Sequence, residues 1–355
     1  MSLPPRLTQS RYADFLTGKL DLALTYPGNI STALEAYAAQ VFQYPYLDYG
    51  FDLPSPIPAD LLLPFGDFVK KYSLDALVPF AWIFAQGVGD ILTLPTLYVI
   101  KAFGTNDILD LQTGFLTTAL HDNSLLYSSA EAILGDDVLY SSTVLAVERD
   151  TQNGVKMIVQ TPSSGLILIE SKTLIVAIQP TPENLSPIDL DDHEAHLFAK
   201  FTWTEYFTGI LKNTGIPSNT SLVNISPSLP YTIPAPPSIY TVEQTGDPGL
   251  LLVTYLSTDI TTSDNDIQNT IISQVKKVQV DGKMASNPEF VVSSNHKPFT
   301  LSVSAEEIEE GFYGELLALQ GVKGTWYVSA SFHTHDSSLI WRYVEGLLPN
   351  ITAAS

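Results

Sequence analysis

The sequence predicts an α/β protein that combines an α+β part with a group of strands from a larger α/β sheet. Residues 59–120 contain short apolar stretches broken by proline and glycine, which indicates short packed helices. After Gly135 the pattern changes to short strands separated by turn residues. The last of them, residues 174–178, is continuously apolar, as expected for a strand that is buried on both faces of a parallel sheet.

The elements of the first 135 residues are predicted from capping and breaking residues. Residues 1–30 are rich in loop formers, and a capping box at Thr32–Glu35 opens a helix that reaches about Tyr44. The segment 43–58, dense in proline and tyrosine, is predicted to be irregular. Asp122 or Asn123 caps a helix to residue 134, after which Gly135 suits the position beyond the helix end.

The remaining elements follow from turn chemistry and periodicity. Asn153-Gly154 and residues 163–165 are typical hairpin turns, and residues 191–201 are predicted to be helical. Further strands alternate with proline-rich loops to about Tyr255. The other predicted elements are strands at 138–147, 155–160, 166–170, 299–304 and 324–332, and helices at 263–278, 304–317 and 336–348.

Composition excludes several classes of function. The 355 residues carry 17 Lys and Arg against 38 Asp and Glu, a net charge of −21. A nucleic-acid partner needs a positive face, so none is predicted, and an anionic membrane surface is disfavoured for the same reason. The chain has no cysteine, which excludes disulfides, thiolate nucleophiles and Cys-based metal sites.

No targeting or membrane-spanning segment is predicted. The N-terminus has no apolar core of the signal-peptide type, so a cytoplasmic protein is expected. The apolar stretch 77–101 is interrupted by Pro79, Asp90 and Pro95, which leaves no uninterrupted run of about 20 apolar residues. We interpret it as short helices of a core or as the wall of a cavity for an apolar ligand.

Two histidine pairs are the only candidates for a metal site. His333 and His335 occupy alternate positions of a predicted strand, where both imidazoles could face one divalent ion, but no third ligand is evident. His193 and His196 lie at i and i+3 of a predicted helix, where an exposed polar face is the simpler interpretation. The sequence contains no phosphate-binding glycine loop and no zinc-protease or nucleophile-elbow motif.

The C-terminal region combines a strand, a turn and a capped helix. A helix N-terminus just beyond a buried strand presents free N–H groups and a partial positive charge. Such an arrangement suits a phosphate or the N1–C2=O edge of a reduced flavin. An ordinary strand–helix connection is the alternative. The residues concerned are Gly324–Phe332, then 333–336, then the helix.

The whole pattern resembles the flavin-containing amine oxidase superfamily, and within it the fungal FAD-dependent oxidoreductases similar to β-cyclopiazonate dehydrogenase. The similar segments run in order over nearly the whole chain. They are LLLPFGDFVKKYSLDALVP (61–79), LPTLYVIKAFG (94–104), LYSSAEAILGDDVLYSSTVLAVERD (126–150), LIVAIQP (174–180), LFAKFTWTEYFTGI (197–210), GFYGELLALQG (311–321) and TWYVSASFHTHDSSLIW (325–341).

This resemblance implies an α+β substrate domain beside an incomplete Rossmann-like FAD domain. The implied substrate domain comprises residues 1–134 and 183–319, the FAD pieces comprise 135–182 and 320–347, and 348–355 form a tail. The cofactor is then FAD. The positions that match the family's flavin-binding residues are Val144, Ala330, Asp336, Ser337, Ser338 and Leu339.

The resemblance also implies an apolar, water-poor substrate cavity. Large aromatic side chains are expected to line it and to select an apolar small molecule. The family's lysine near flavin N5 matches either Lys200 or Lys297, although a surface position is the simpler interpretation of both. The expected cavity residues are Trp82, Phe84, Tyr98, Phe103, Trp203 and Tyr206.

One departure from the family affects the functional prediction. Family members begin with a dinucleotide-binding βαβ unit and its glycines, and this chain has no match to it. The expectation is an N-terminally truncated oxidoreductase of doubtful activity, whose strand at 174–178 has an open edge that a partner covers. The alternative is a flavin-free remnant that binds a small apolar molecule or a partner protein. A His-dependent metal hydrolase is a third, weaker hypothesis.

Overall fold

The computed structural model describes residues 9–24, 27–120, 122–282 and 287–354. The chain folds into two compact units. Unit 1 comprises residues 1–44, 54–103 and 202–309, and unit 2 comprises 45–53, 104–201 and 310–355. Residues 104–134 and 183–201, which the resemblance assigned to the substrate domain, thus pack within unit 2. Which unit holds the cofactor and which holds the substrate stays a prediction.

The described residues form both strands and helices in each unit. The strands are β1 (Gln9–Asp14), β2 (Lys19–Leu20), β3 (Thr143–Asp150), β4 (Gly154–Thr161), β5 (Gly165–Ser171), β6 (Leu174–Val176), β7 (Glu205–Lys212), β8 (Thr220–Asn224), β9 (Ser238–Gln244), β10 (Leu251–Ser257), β11 (Glu289–His296) and β12 (Thr325–Tyr327). The helices are α1 (Ile30–Val41), α2 (Ala59–Leu62), α3 (Phe65–Tyr72), α4 (Val78–Phe84), α5 (Thr96–Ala102), α6 (Thr105–Thr113), α7 (Ser124–Leu134), α8 (Asp192–Ala199), α9 (Asp264–Lys277), α10 (Ala305–Glu309), α11 (Phe312–Ala318) and α12 (Ser337–Ala354).

Unit 1 is built on a seven-stranded mixed sheet in the order β11-β7-β10-β9-β8-β1-β2. β1 runs parallel to β8, and the other neighbours are antiparallel. Residues of β7 alternate between buried and half-buried, as expected for a sheet with one fully covered face. That face packs against α9, whose Ile267, Ile271 and Val275 are completely buried. α9 starts at Ser263, whose hydroxyl accepts the N–H of Asp266.

The apolar stretch 77–101 folds into two short helices of unit 1. α4 and α5 occupy it, and most of their side chains are buried. The predicted breaks at Pro79 and Pro95 fall at the helix starts, where the missing N–H of proline costs nothing. Within the described residues, no helix has the length and apolar character needed to cross a membrane.

Unit 2 contains two small sheets. β3, β4 and β5 form an antiparallel meander, and β6 pairs in parallel with β12. The meander and its two turns are confirmed. At Gly154 the backbone has φ +79°, and a Cβ there would lie 2.5 Å from the Ser171 carbonyl oxygen, so the turn needs glycine. α8 starts with a capping box between Asp191 and Glu194.

Several predicted elements are wrong in detail. The N-terminal segment is not all loop, because β1 and β2 join the sheet of unit 1. Residues 299–304 form no strand and make only one bridge, between Thr202 and Ser302. The predicted helix 304–317 is two helices, because Gly311 adopts φ +98° between them. β12 ends at Tyr327 rather than at residue 332, because a 3₁₀ turn follows.

Two further corrections concern the ends of unit 2. α12 continues to Ala354, so residues 349–354 are not a separate tail; Ile351 is buried and anchors the last turns. The strand at 174–178 is not buried on both faces in this structure. Ile175 is 49% and Ile178 53% exposed; β6 ends at Val176 and has only β12 beside it among the described residues.

Candidate functional site

The candidate site lies in unit 2, where the two parallel strands end. Ile175 pairs with Trp326 and Val176 with Tyr327, so both strands leave the sheet at the same edge. Val328 N–H donates to the Val176 carbonyl at 3.0 Å and extends the ladder. Ligands of open α/β sheets bind at the carboxyl ends of the strands.

Side chains from the two exit loops meet at this edge. The Gln179 amide nitrogen lies 3.4 Å from Nε2 of the exposed His335. The Gln179 amide oxygen is buried and has no hydrogen-bond partner among the described residues. A buried acceptor left unpaired costs free energy, so a donor from outside this part of the chain is chemically favoured there.

The N-terminus of α12 opens at the same edge. Asp336 Oδ1 caps the helix by accepting the Leu339 N–H at 3.0 Å and the Ser338 hydroxyl at 2.6 Å. The backbone N–H groups of Ser337 and Ser338 have no partner among the described residues, and both residues are exposed. Free N–H groups and the positive end of an 18-residue helix favour an electron-rich acceptor.

Buried groups hold the loop between β12 and α12. The Ser329 and Ser331 hydroxyls, both buried, hydrogen-bond each other at 2.6 Å. His333 is buried, with Nε2 3.0 Å from the Asp48 carbonyl oxygen. Gly50 has φ +134°, and a Cβ there would lie 3.2 Å from the Phe332 carbonyl oxygen. The loop is therefore held by an internal hydrogen bond and by contacts with the segment around Asp48 and Gly50.

The predicted histidine pairing at this loop is wrong. The strand ends at Tyr327, so His333 and His335 are not alternate residues of a strand; one is buried and the other exposed. His193 and His196 are both exposed on α8. In the described ranges, no cluster of three or more His, Asp or Glu side chains could hold a metal ion.

A buried ion cluster that the sequence did not reveal connects three elements of unit 2. Arg149 on β3 has a fully buried side chain whose two terminal nitrogens donate to the Glu194 carboxylate at 2.7 Å each. Its Nε donates to Asp189 at 2.7 Å. The Tyr327 hydroxyl on β12 donates to Glu194 at 3.2 Å. No local pattern signalled it, because Arg149 stands between Glu148 and Asp150 beyond the predicted strand 138–147.

Burial and the charges in this cluster shift the pKa values of two of its groups. Burial opposes ionisation of Glu194, but the bonds from Arg149 and from the Asp191 N–H hold the pKa of Glu194 below its ordinary value. Burial and the neighbouring Glu194 charge raise the pKa of the Tyr327 hydroxyl. Both groups therefore keep their ordinary charge states, an ionised carboxylate and a neutral phenol, at neutral pH.

A second titratable group lies near the start of α12. Burial and, to a lesser extent, the charge of Asp336 raise the pKa of Asp107 to about 6, although the Gly104 N–H donates to its carboxylate at 2.9 Å. A proton at Asp107 thus exchanges close to neutral pH in the electrostatic field of the α12 cap.

The other predicted flavin and lysine positions are spread over both units. Val144 lies on β3, where it pairs with Val159 and is 37% exposed. Ala330 starts the 3₁₀ turn after β12. Lys200 follows α8 in unit 2. Lys297 lies in unit 1, with Nζ 3.0 Å from a carboxylate oxygen of the completely buried Glu205.

The predicted cavity residues all lie in unit 1, and four of them belong to two aromatic groups. In the first group, Trp82 contacts Tyr240, with ring centroids 4.6 Å apart, and Tyr206 stacks on Phe299 at 5.0 Å. The second group joins Phe84 and Phe103 at 4.7 Å, and the residues around them are Phe80 and Tyr37.

The other two predicted cavity residues are Tyr98 and Trp203. The hydroxyl of Tyr98 is buried, donates to the Val303 carbonyl and accepts the Val303 N–H, which are structural bonds. Trp203 is half-buried in the segment before β7.

The residues at the strand edge fit a flavin ring. Ser337 and Ser338 offer donors, Gln179 offers an unpaired buried acceptor, and Ile178 offers exposed aliphatic surface, all within unit 2. An isoalloxazine has a carbonyl edge that accepts hydrogen bonds, an N–H that donates one, and an apolar ring face. The donor set therefore matches that chemistry.

Sequence comparison finds similar fungal proteins. No family model matches the chain. It is 36% identical over 329 residues to "FAD-dependent oxidoreductase oblC" of Cochliobolus heterostrophus, with 89% of this chain and 68% of that protein covered. It is 35% identical to "FAD-dependent oxidoreductase pigF" of Monascus ruber, covering 95% and 72%. It is 32% identical to "Beta-cyclopiazonate dehydrogenase" of Aspergillus oryzae, covering 92% and 72%.

Solved structures share the fold. A fatty acid isomerase from P. acnes that produces CLA superposes with a TM-score of 0.76 at 18% identity, covering 98% of this chain and 80% of that one. Cyclohexylamine oxidase from Brevibacterium oxydans superposes with a TM-score of 0.59 at 12% identity, covering 98% and 81%. At these identities the likeness concerns the fold alone.

Proposed function

The chain belongs to the fungal FAD-dependent oxidoreductases with the flavin amine oxidase fold, and from this premise we propose that unit 2 holds the flavin at the ends of β6 and β12. The observation that carries the proposal is the convergence of unpaired groups at one edge. The α12 N-terminus supplies free donors there, and Gln179 supplies a buried acceptor without a partner.

Each residue of this edge has a definite task in the proposal. The N–H groups of Ser337 and Ser338 bind the ring's carbonyl edge, and the helix dipole stabilises negative charge there. Ala330 and Val144 supply backbone and apolar contact. When bound, the flavin accepts a hydride from substrate, and this chain's residues hold and orient it and exclude water.

We further propose that the substrate is an apolar small molecule. The aromatic groups around Trp82 and Phe84 in unit 1 support this proposal, because large apolar side chains bind such ligands by burial of surface. Of the two candidate lysines, Lys297 is favoured. Its ion pair with the completely buried Glu205 fixes its position in unit 1, the unit that holds the aromatic groups.

The open edge of β6 supports a polypeptide partner for this sheet. On β12, the Gln320 side chain blocks the outer edge by binding both the N–H and the carbonyl of Tyr327 at 2.8 Å. On β6, no described residue does so; Ile175 of this strand and Ile178 just beyond it are exposed. We propose that a further strand pairs with β6. The same exposure favours the alternative of a flavin-free protein that binds a partner.

Flavin binding by the purified chain tests the proposal. Ser337→Pro removes one N–H donor at the first position of α12, where proline is tolerated. The loss of one hydrogen bond to a flavin oxygen weakens FAD binding by about five- to tenfold. Asp192→Pro is the matched control, because it changes the first position of α8 and no site residue.

The outcomes separate the two candidate functions. FAD uptake, measured by visible absorbance and flavin fluorescence, that is weakened by Ser337→Pro alone supports the strand-edge site. A chain that stays colourless and takes up no added FAD overturns the proposal for this chain and favours the flavin-free alternative. If both proline variants weaken FAD binding equally, the flavin does not bind at the N-terminus of α12.

A further inference from the structure

Unit 1 contains a cavity of about 280 Å³ between α4 and the β1-β8-β9 part of the sheet. The volume is near the lower end of the range for ligand pockets. A cavity of this size holds one ring system. Its walls are mainly apolar and aromatic. The side chains that form most of them are Trp82, Phe80, Ile83, Val223, Ile225 and Ile233.

Two polar side chains in the cavity wall are already paired. The Asn224 amide donates to the Ile239 carbonyl at 2.7 Å and accepts the Phe15 N–H at 3.3 Å. The Thr241 hydroxyl pairs with Thr254 at 3.0 Å. These groups stabilise the sheet and have little capacity left for a ligand.

Two polar groups in the same wall are not paired. The half-buried Glu243 forms no ion pair within the described ranges, and its charge reaches Tyr206, whose pKa burial raises to about 12. The Thr232 hydroxyl is buried and has no hydrogen-bond partner among the described residues. An unpaired buried hydroxyl is unfavourable unless something outside the chain satisfies it.

The backbone at Thr232 adds a second cost at the same place. Tyr231 and Thr232 adopt φ +56° and +57°, a left-handed conformation that a β-branched residue disfavours. The Tyr231 hydroxyl donates to Asp75 at 3.1 Å and helps to hold this turn. Costly backbone geometry that is retained beside an unpaired group is a feature of ligand sites.

We propose that this cavity binds a compact apolar ring that carries a hydrogen-bond donor of neutral or positive charge. The ring packs on Trp82 and Phe80, and the donor reaches Glu243, while the Thr232 hydroxyl completes the polar contact. The unpaired Glu243 carboxylate repels anionic ligands. Binding of such a ligand does not depend on the proposed function. Only the further step of identifying this ligand as the substrate rests on it.

Two isosteric probes test the charge preference without any flavin. Benzamidine and benzoate share one phenyl ring, but benzamidine donates hydrogen bonds and is cationic, whereas benzoate accepts them and is anionic. Calorimetric titration of the flavin-free chain is expected to show benzamidine binding at least about tenfold tighter than benzoate, the effect of one favourable polar contact. Glu243→Gln should remove most of this preference.

A charge-matched control separates the site from the overall acidity of the chain. Glu289→Gln removes one negative charge from the same sheet at an exposed ion pair with Lys212, and should leave the preference unchanged. Equal affinity for both probes overturns the proposal. An equal effect of the two glutamine variants also overturns it, because long-range charge would then account for the preference.

Thr232→Val distinguishes a ligand-binding role from a structural one. The replacement is similar in volume and removes the unpaired hydroxyl, so the melting temperature should stay the same or rise. Benzamidine affinity should nevertheless fall about fivefold. Unchanged affinity would show that the hydroxyl takes no part. Because no flavin is present, failure of FAD binding would leave this result interpretable.

Discussion

Replacing Arg149 by methionine tests whether the buried ion cluster holds unit 2 together. Arg149 is fully buried and Glu194 is 1% exposed, whereas Asp189 is 39% exposed. Loss of the guanidinium therefore leaves one buried carboxylate, that of Glu194, without its main partner. Asp189 can be hydrated and contributes less to the cost.

The size of the effect follows from the remaining partners. Removing one member of a buried ion pair costs about 3–5 kcal/mol. Lys323 Nζ lies 3.6 Å from Glu194, and the Tyr327 hydroxyl still donates to it. We therefore expect the lower end, about 3 kcal/mol, which is somewhat more than a hundredfold in the local opening equilibrium.

A double variant checks the physical reason. Arg149→Met with Glu194→Leu removes both buried charges, so it should be at least about 1 kcal/mol more stable than Arg149→Met alone.

Because the folded pKa of Glu194 is lowered, its contribution in the wild type is present above the unfolded pKa and is lost as the pH falls through the folded pKa.

Hydrogen exchange of peptides from β3 and β12, read by mass spectrometry, measures this locally. Lys156→Met is the matched control in the same unit, because it breaks an exposed pair with Glu170 at 3.9 Å, which contributes less than about 1 kcal/mol. The reasoning is refuted if Arg149→Met opens β12 no more than Lys156→Met does, or if the double variant is the least stable.

Three further substitutions have expected effects on the free energy of unfolding, each measured by urea denaturation. Because the folded pKa of Asp107 is raised to about 6, its stabilisation is present below about pH 4 and is lost as the pH rises from there towards 6. Asp107→Asn should therefore gain about 1–2 kcal/mol at pH 7.5, about half of that at pH 5 and little at pH 3. Gly154→Ala should cost at least about 2 kcal/mol, because the new Cβ clashes with the backbone. The control Gly165→Ala, also at positive φ but in open space, should cost about 1 kcal/mol. Equal losses would contradict this. Lys297→Met should cost about 2–3 kcal/mol, because it leaves the buried Glu205 carboxylate without its ionic partner. A loss below about 1 kcal/mol would show that the ion pair contributes no more than an exposed one.

Elements with local capping or turn signals were predicted well from the sequence. The predicted helix 263–278 corresponds to α9, because the Ser263 cap and the acidic first turn lie next to the residues they stabilise. The Asn153-Gly154 turn correctly placed the β3–β4 hairpin. The start of α12 after Asp336 is confirmed for the same reason. These signals depend on residues within about four positions of each other.

Elements that depend on distant pairing were not predicted. β1 joins the sheet through β8, about 210 residues away, and nothing near β1 signals that pairing. The continuous apolar run at 174–178 correctly indicated a parallel strand, but its burial depends on neighbours on both sides, and β6 has one. The hydrophobic pattern of a strand indicates which environment its side chains favour. The elements that pack around the strand decide which of those side chains are buried.

The sequence by itself determined the family, the acidic charge, and the strand–turn–helix at the proposed flavin site, because these follow from residue identity and near neighbours. Only the tertiary structure decided which polar groups are paired. Arg149 found Glu194 45 residues away, whereas the Gln179 amide oxygen and the Thr232 hydroxyl found no partner among the described residues. Hydrogen bonding and burial of such groups are set by three-dimensional packing, which no local pattern specifies.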